Sequence, residues 1–348
     1  MIGHLAYASG SPCPTLVLDS RYLPAEDEPL LAALADARRW LGKAGGGHVL
    51  KIALVGPSTH PLLDLDYRFI QALPGGPDRF DLRGSCGHSV LASITAAAEA
   101  GRLPKLTAGD RIRVNVLNNG DYLVCEVDNV DRTSVGFTVH FMQTPPRPIS
   151  DLLLAGTPRT TLRVDGRDVE VSLVSAGNPY VFVDAAGARV RHVDELFAAD
   201  NVLFERLVRI RHAAAEYLGW SPAGAFPKVA VTLPLDGMLA ARAVSVPTWH
   251  PTLALTGVAC LGAAIEIPGT IPWRTAREAS CSPGMVEVRT PGSVLSVTAA
   301  TTTSATGEPC LSWTTIGDKQ VTFLGSFFLE PLAHFQFKEI AECLSLPV

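Results

Sequence analysis

Hydrophobic positions in this chain mostly alternate with polar ones in short runs, but two stretches are apolar on every side. Gly84 to Ala100 carries no full charge except Glu99 and is closed by Gly101 and Pro104, and Gly257 to Ile265 is stopped by Pro268-Gly269. Small residues with no polar stripe predict two helices buried on nearly every side. After the first come three alternating runs, Arg113-Val-Asn-Val-Leu117, Tyr122-Leu-Val-Cys-Glu-Val127 and Gly136-Phe-Thr-Val-His-Phe141. They predict an antiparallel meander over Arg111 to Phe141. Further strands are expected at Leu16–Asp19, Lys51–Val55 and Asp66–Ile70, then at Arg163–Val169, Tyr180–Val183, Val229–Leu233, Met285–Arg289 and Ser293–Val297. Amphipathic helices are expected at Pro29–Leu41 and Val193–Leu218. Gly45-Gly-Gly47 reads as a loop and Pro145-Pro-Arg-Pro148 as a hinge.

Parts of this pattern occur twice. Lys51-Ile-Ala-Leu-Val-Gly-Pro57 returns as Lys228-Val-Ala-Val-Thr-Leu-Pro234. Ser9-Gly-Ser-Pro12, with Thr15-Leu-Val-Leu-Asp19 after it, returns as Ala176-Gly-Asn-Pro179 with Val181-Phe-Val-Asp184. Ser85-Cys-Gly-His88 opens the first small-residue helix as Leu255-Thr-Gly257 opens the second. Matches in the same order at similar offsets imply a duplicated domain, because solenoid units are far shorter, about 20–50 residues. The expected architecture is α+β with two lobes, residues 1–148 and 149–348. Each is a curled, mostly antiparallel sheet around a central helix, with the site between them. The last strand, Gln320–Leu329, could belong to either lobe.

Length fits that division, since 348 residues exceed one ordinary core. A net charge of −5 without a basic run gives no sign of a nucleic-acid partner. The densest basic cluster, Arg206, Arg209, Arg211 and His212, reads as a solvated helix face. Seven scattered cysteines with no CxxC pair argue against a disulfide framework and a zinc site. No signal-peptide pattern and no apolar run of membrane-spanning length stands out. The expectation is a cytoplasmic protein with a small-molecule substrate, no metal, no nucleic-acid or membrane partner, and a homodimer as a possibility.

Cys86 is the foremost candidate for chemistry. It opens a buried helix, where free N–H groups and the dipole lower a thiol pKa and attract an anion; the plain alternative is a small buried cysteine. Lys51 opens a strand and could act as base or acid once desolvated, or else reach solvent from the strand end. Lys228, its repeat mate, reads as structural. His88 could orient the thiol, donate to a substrate oxygen or face solvent, and His250 is equally open. Ser9, Ser11, Asn178 and the Gly45–Gly47 loop are turn residues or ligand-positioning groups.

Together these segments resemble the methylaconitate isomerase (PrpF) family, within the diaminopimelate-epimerase-like fold. The resemblance rests on Gly47-x3-Lys51-Ile-Ala-Leu-Val, Asp66-Tyr67-x-Phe69, Ser85-Cys86-Gly87, Gly177-Asn178-Pro179-x-Val181-Phe182-Val183, Pro227-Lys228-Val229, Thr256-Gly257 and Ile267-Pro-Gly-Thr270. It implies a cofactor-independent isomerase that moves a proton (by allylic double-bond shift, cis/trans isomerisation or tautomerisation) on an unsaturated carboxylate or carbonyl substrate, with Lys51 and Cys86 flanking that substrate. It further implies that the turns at Ser85, Gly87, Thr256 and Gly257 hold substrate oxygens. The second thiol of the diaminopimelate branch aligns with Ala254. Three departures stand out. The family's Arg-Gly-Gly-Thr-Ser-Lys-Gly is here Ala8-Ser-Gly-Ser-Pro-Cys-Pro14, its asparagine after Cys-Gly is His88, and its late Thr-Ala-Arg is Thr314-Thr-Ile-Gly317. Lost cations leave room for a less charged substrate, such as one of specialised metabolism, or for a non-catalytic binding protein. A phenazine-type isomerase would need a carboxylate base, which the matched segments near the N-terminal loop lack. A thiol hydrolase on Cys86 and His88 is disfavoured by their i, i+2 spacing.

Overall fold

The computed structural model describes residues 1–198, 200–245 and 248–335. The first half runs β1 (Ile2–Ala8), β2 (Thr15–Asp19), α1 (Asp27–Lys43), β3 (Lys51–Pro57), β4 (Leu65–Ala72), β5 (Phe80–Asp81), α2 (Gly87–Glu99), β6 (Arg111–Val116), β7 (Asp121–Val130), β8 (Ser134–Pro148) and α3 (Ile149–Leu152). After it come β9 (Thr160–Val164), β10 (Arg167–Ala176), β11 (Asn178–Asp184), α4 (Ala185–Ala188), α5 (Val193–Phe197), α6 (Asn201–Tyr217), β12 (Lys228–Leu235) and β13 (Met238–Ser245). The chain then adds β14 (Thr248–Trp249), α7 (Leu255–Ile265), α8 (Ile271–Glu278), β15 (Val286–Arg289), β16 (Val294–Thr303) and β17 (Pro309–Phe328).

Strand pairing closes a barrel in the order β1, β2, β3, β4, β6, β7, β8, β17 and back to β1. Only β2–β3 and β4–β6 in it are parallel. Helix α2 contacts β1, β2, β3, β4 and β17, and every residue from Gly87 to Ala97 is buried, as its charge-free composition requires. In the second part the pairing runs β10, β11, β12, β13, β15, β16, β17, with β11–β12 and β13–β15 parallel. Helix α7 contacts β10, β11, β16 and β17 and is buried along its whole length. Strand β17 pairs with β16, β8 and β1. The amphipathic helices lie outside the strands: Leu30, Leu34 and Leu41 of α1 pack on Leu16, Leu18, Ile52 and Leu54, and Leu203, Leu207 and Ile210 of α6 on Val181, Val229 and Val231.

Several boundaries differ from expectation. The Pro145–Pro148 segment is no hinge but the end of β8, with Arg147 opposite Leu311 and Pro148 opposite Cys310 across a register shift in β17. That irregularity frees the chain from the missing proline N–H groups. The helix expected over 193–218 is two, because Asp200 caps a fresh start by accepting from the N–H groups of Val202 and Leu203. The strand expected over 163–169 is a hairpin turning at Asp165 and Gly166, both at positive φ. Residues β1, β13 and α8 carry were not anticipated as elements. Cys343 lies outside the described residues.

The two buried helices meet at their first turns. A Cβ on Gly87 would stand 2.7 Å from Cβ of Leu255. Gly87→Ala should therefore cost about 1–3 kcal/mol through overpacking. A denaturant melt showing an unchanged midpoint would refute so tight a contact.

Candidate active site

Each buried helix begins at a residue without a side-chain cap, Cys86 for α2 and Ala254 for α7. Uncapped first-turn N–H groups make both starts electropositive. Asn178, at the head of β11, binds the two together. Its Nδ2 donates to Ser85 O (2.8 Å) and Thr256 Oγ1 (2.9 Å), and its Oδ1 accepts from Ser85 N–H at 3.2 Å. Tyr67 of β4 donates its hydroxyl to Cys86 O at 3.2 Å, which fixes the turn from the other side.

Lys51 and Lys228 are the first residues of β3 and β12, and both line a cleft with Cys86, Ser85, His250, Ala254 and Thr256. The remaining wall includes Phe69, Gln71, Asp81, Ala225, Phe226 and Ser245. Its volume is only ≈ 30 Å³, room for about one water. Lys51 is 6% exposed, and its Nζ donates to Ser11 Oγ at 2.8 Å, while that hydroxyl donates to Cys13 O. Lys228 lies near the Phe226 ring, 5.8 Å from its centroid.

These charges decide the state of the thiol. Burial pushes the Cys86 pKa up, but Lys51, the Ser89 hydroxyl and Lys228 act in the opposite direction and prevail, so it lies below the ordinary value. Lys228 is itself pushed down by burial and by Lys51, against the pull of Cys86 and Asp81. Asp81 is the carboxylate of the cleft wall. Burial alone would raise its pKa, yet hydrogen bonds from Arg83 and the Ala225 N–H hold it below the usual range. Fully engaged in this way, it is a structural anion rather than a free base.

His88 and His250 stack with ring centroids 6.0 Å apart and are 1% and 2% exposed. Neither His88 nitrogen has a hydrogen-bond partner among the described residues, so there is no Cys86–His88 pair of the hydrolase kind. Burial, then Lys51 and the other lysines, hold both rings well below the ordinary histidine pKa. Nδ1 of His250 accepts from Thr252 N–H at 3.2 Å. Lys319, inward on β17 opposite Phe137, adds a third ammonium group; burial lowers its pKa to about 8.

Among the residues singled out in the sequence, Lys51, Ser85, Cys86, His250 and Thr256 share the cleft wall, with Ser11 and Asn178 bonded to its members. Gly87 and Gly257 serve close packing, the latter where a Cβ would meet the Tyr180 hydroxyl at 2.4 Å. Ser9 and Gly47 are exposed and not in the wall. Sequence reasoning missed Asp81 and Lys319 and read Lys228 as structural, although its repeat match with Lys51 already marked the position.

Two outcomes follow from the electrostatics. Lys51→Met removes the largest opposing charge, so the pH midpoint for iodoacetamide labelling of Cys86 should rise, and Lys228→Met should raise it less. An unmoved midpoint in Lys51→Met would contradict the assignment. The two histidines are depressed in the folded state, so their neutral-form stability is complete above the unfolded pKa of about 6.5 and declines as pH falls below it. Thermal melting should lose ground between about pH 7 and 5, with a flatter profile in His88→Asn.

The family model described as PrpF protein matches residues 35–312. The 3-methylitaconate isomerase of Eubacterium barkeri is 27% identical over 277 residues, covering 68% of this chain and 73% of that protein. The crystal structure of a methylitaconate-delta-isomerase superposes with a TM-score of 0.66 at 22% identity, covering 94% of this chain and 95% of the other. A hydroxyproline epimerase from Agrobacterium vitis, solved with trans-4-OH-L-proline, gives 0.62 at 15% identity, covering 94% and 90%. The fold is thus the sheet-rich α+β fold of this isomerase and epimerase. With the model matching most of its length, and its Lys51, Cys86 and Asn178 segments brought to one cleft, the chain belongs to the PrpF protein family.

Proposed function

We propose that this protein is a cofactor-independent isomerase that shifts a double bond in an unsaturated carboxylate by moving a proton between two carbons. The observation that carries the reading is the convergence of Lys51 and Cys86 on one small cleft at a helix N-terminus, with the thiol pKa drawn down. In this reading the Cys86 thiolate removes an allylic proton, and the Lys51 ammonium returns one at the far end of the delocalised anion. The substrate carboxylate sits against the first turns of α2 and α7, whose N–H groups stabilise the enolate-like charge as it develops. An acid and a base suffice for such a transfer. A two-thiol racemisation is disfavoured because Ala254 takes the α7 position that mirrors Cys86. The isomerase names of the relatives support the class, and the 3-methylitaconate isomerase supports an unsaturated dicarboxylate.

The same reading takes residues 1–148 and 149–348 as duplicated lobes with the site between them. Support comes from the repeated pairing, in which β2–β3 and β4–β6 are parallel in one half and β11–β12 and β13–β15 in the other. Lys51 and Cys86 come from the first half, and Lys228, Thr256 and Asn178 from the second.

Proton NMR in D2O with a methylitaconate-type dicarboxylate and with cis-aconitate should show deuterium entering an allylic position as the double bond moves. Cys86→Ser and Lys51→Met should each lower turnover by about 10²–10⁴-fold with the fold retained. Full activity in Cys86→Ser would sink the assignment.

A further inference from the structure

The cleft shares part of its wall with a larger space. Gln71, Ala225, Lys228 and Ser245 also border an outer chamber of ≈ 370 Å³, more than ten times the inner volume. Arg79 and Arg211 line that chamber as well, and no Asp or Glu is among its described lining residues. Arg211 stands out. It was expected on a solvated face of α6, yet it is 3% exposed. Its Nη1 donates to Gly224 O at 3.1 Å and its Nη2 to Pro222 O at 2.6 Å, whereas its Nε has no partner among the described residues. No carboxylate pairs with it there. A guanidinium stays charged, so burying one against carbonyls alone leaves an uncompensated charge, which is costly unless an anion arrives.

We propose that the outer chamber is the subsite for a second carboxylate of the substrate, held by Arg211 from below, Arg79 at the rim and Lys228 at the shared wall. The inference rests on the isomerase reading and sharpens it. At ≈ 30 Å³ the inner cleft must widen even for the reacting end of the molecule, so the remote carboxylate stays in the chamber and the substrate is an extended dicarboxylate. Arg211 also pins the Pro222–Gly224 turn, but that task needs hydrogen-bond donors and not a charge.

The test measures protection of Cys86 from iodoacetamide, followed by mass spectrometry of its peptide. The probes are glutarate and adipate, each compared with its monoamide, which matches it in shape but lacks the second charge. In the unaltered protein at least one diacid should protect at concentrations about tenfold lower than its monoamide, the effect of one charge-assisted hydrogen bond. Arg211→Gln, which keeps a donor for the turn, and Arg79→Gln, which changes an exposed residue, should each erase most of that advantage and leave monoamide protection unchanged. Equal protection by diacid and monoamide, or an advantage that survives both substitutions, would overturn the subsite while leaving the isomerase reading standing. Protection by neither class of compound would overturn both.

Discussion

Two helix N-termini are held face to face by one buried amide. Asn178 reaches Ser85 and Thr256 with a single side chain, and Gly87 lets the first turns approach to a distance that no other residue would permit without displacement. Everything electrostatic about the site follows from that contact. Two helix starts without a side-chain cap open into one small volume, and the strands that start beside them, β3 and β12, each bring a lysine. Losing the amide would leave Ser85 and Thr256 groups without a partner in a dry place, which costs more than the hydrogen bonds themselves contribute.

The balance at Cys86 shows which effect wins. Desolvation is the largest influence and opposes ionisation, yet the combined action of Lys51, Ser89 and Lys228 is enough to reverse it. At Cys260 the opposing influences are weaker and desolvation prevails. Cys260 is as deeply buried, in the middle of α7 rather than at a helix start, and its pKa is raised to about 12. The contrast separates a packing cysteine from the one proposed to do chemistry by position along a helix, with the same residue type in both.

Much of this was legible in the chain. The absence of polar positions in α2 and α7 dictated burial all round, and the repeated lysine-led strand marked both sides of the cleft. Cys86 and Asn178 were visible through the turns they occupy. Long-range effects were not. A proline cluster reads as a hinge in one dimension, and only the shifted register of β17 shows how a strand accommodates it. Arg211 looked like surface charge because α6 carries Arg209 one face away, paired with Asp165 in the open. Whether an arginine on an amphipathic helix faces water or a chamber depends on what the turn after that helix covers, here Pro222 to Gly224.

The same point bears on the substrate. Judged by local comparison, Ala8 to Pro14 lacks the cations the family carries in that segment, which favours a weakly charged ligand. In three dimensions Lys51, Lys228 and Lys319 lie near the first turn of α2, and the cleft wall carries a single carboxylate among its described residues, already bound to Arg83. His88, in the asparagine position of the family, adds a polar group whose two nitrogens have no partner among the described residues, and its lowered pKa adds no further charge. A surplus of buried ammonium groups is stable only next to negative charge. The Cys86 thiol, drawn below its ordinary pKa, can supply part of it. Burial already lowers the pKa of Lys228 and Lys319, and the carboxylates of the proposed substrate would supply the remaining negative charge, which sets these lysines against the missing loop cations.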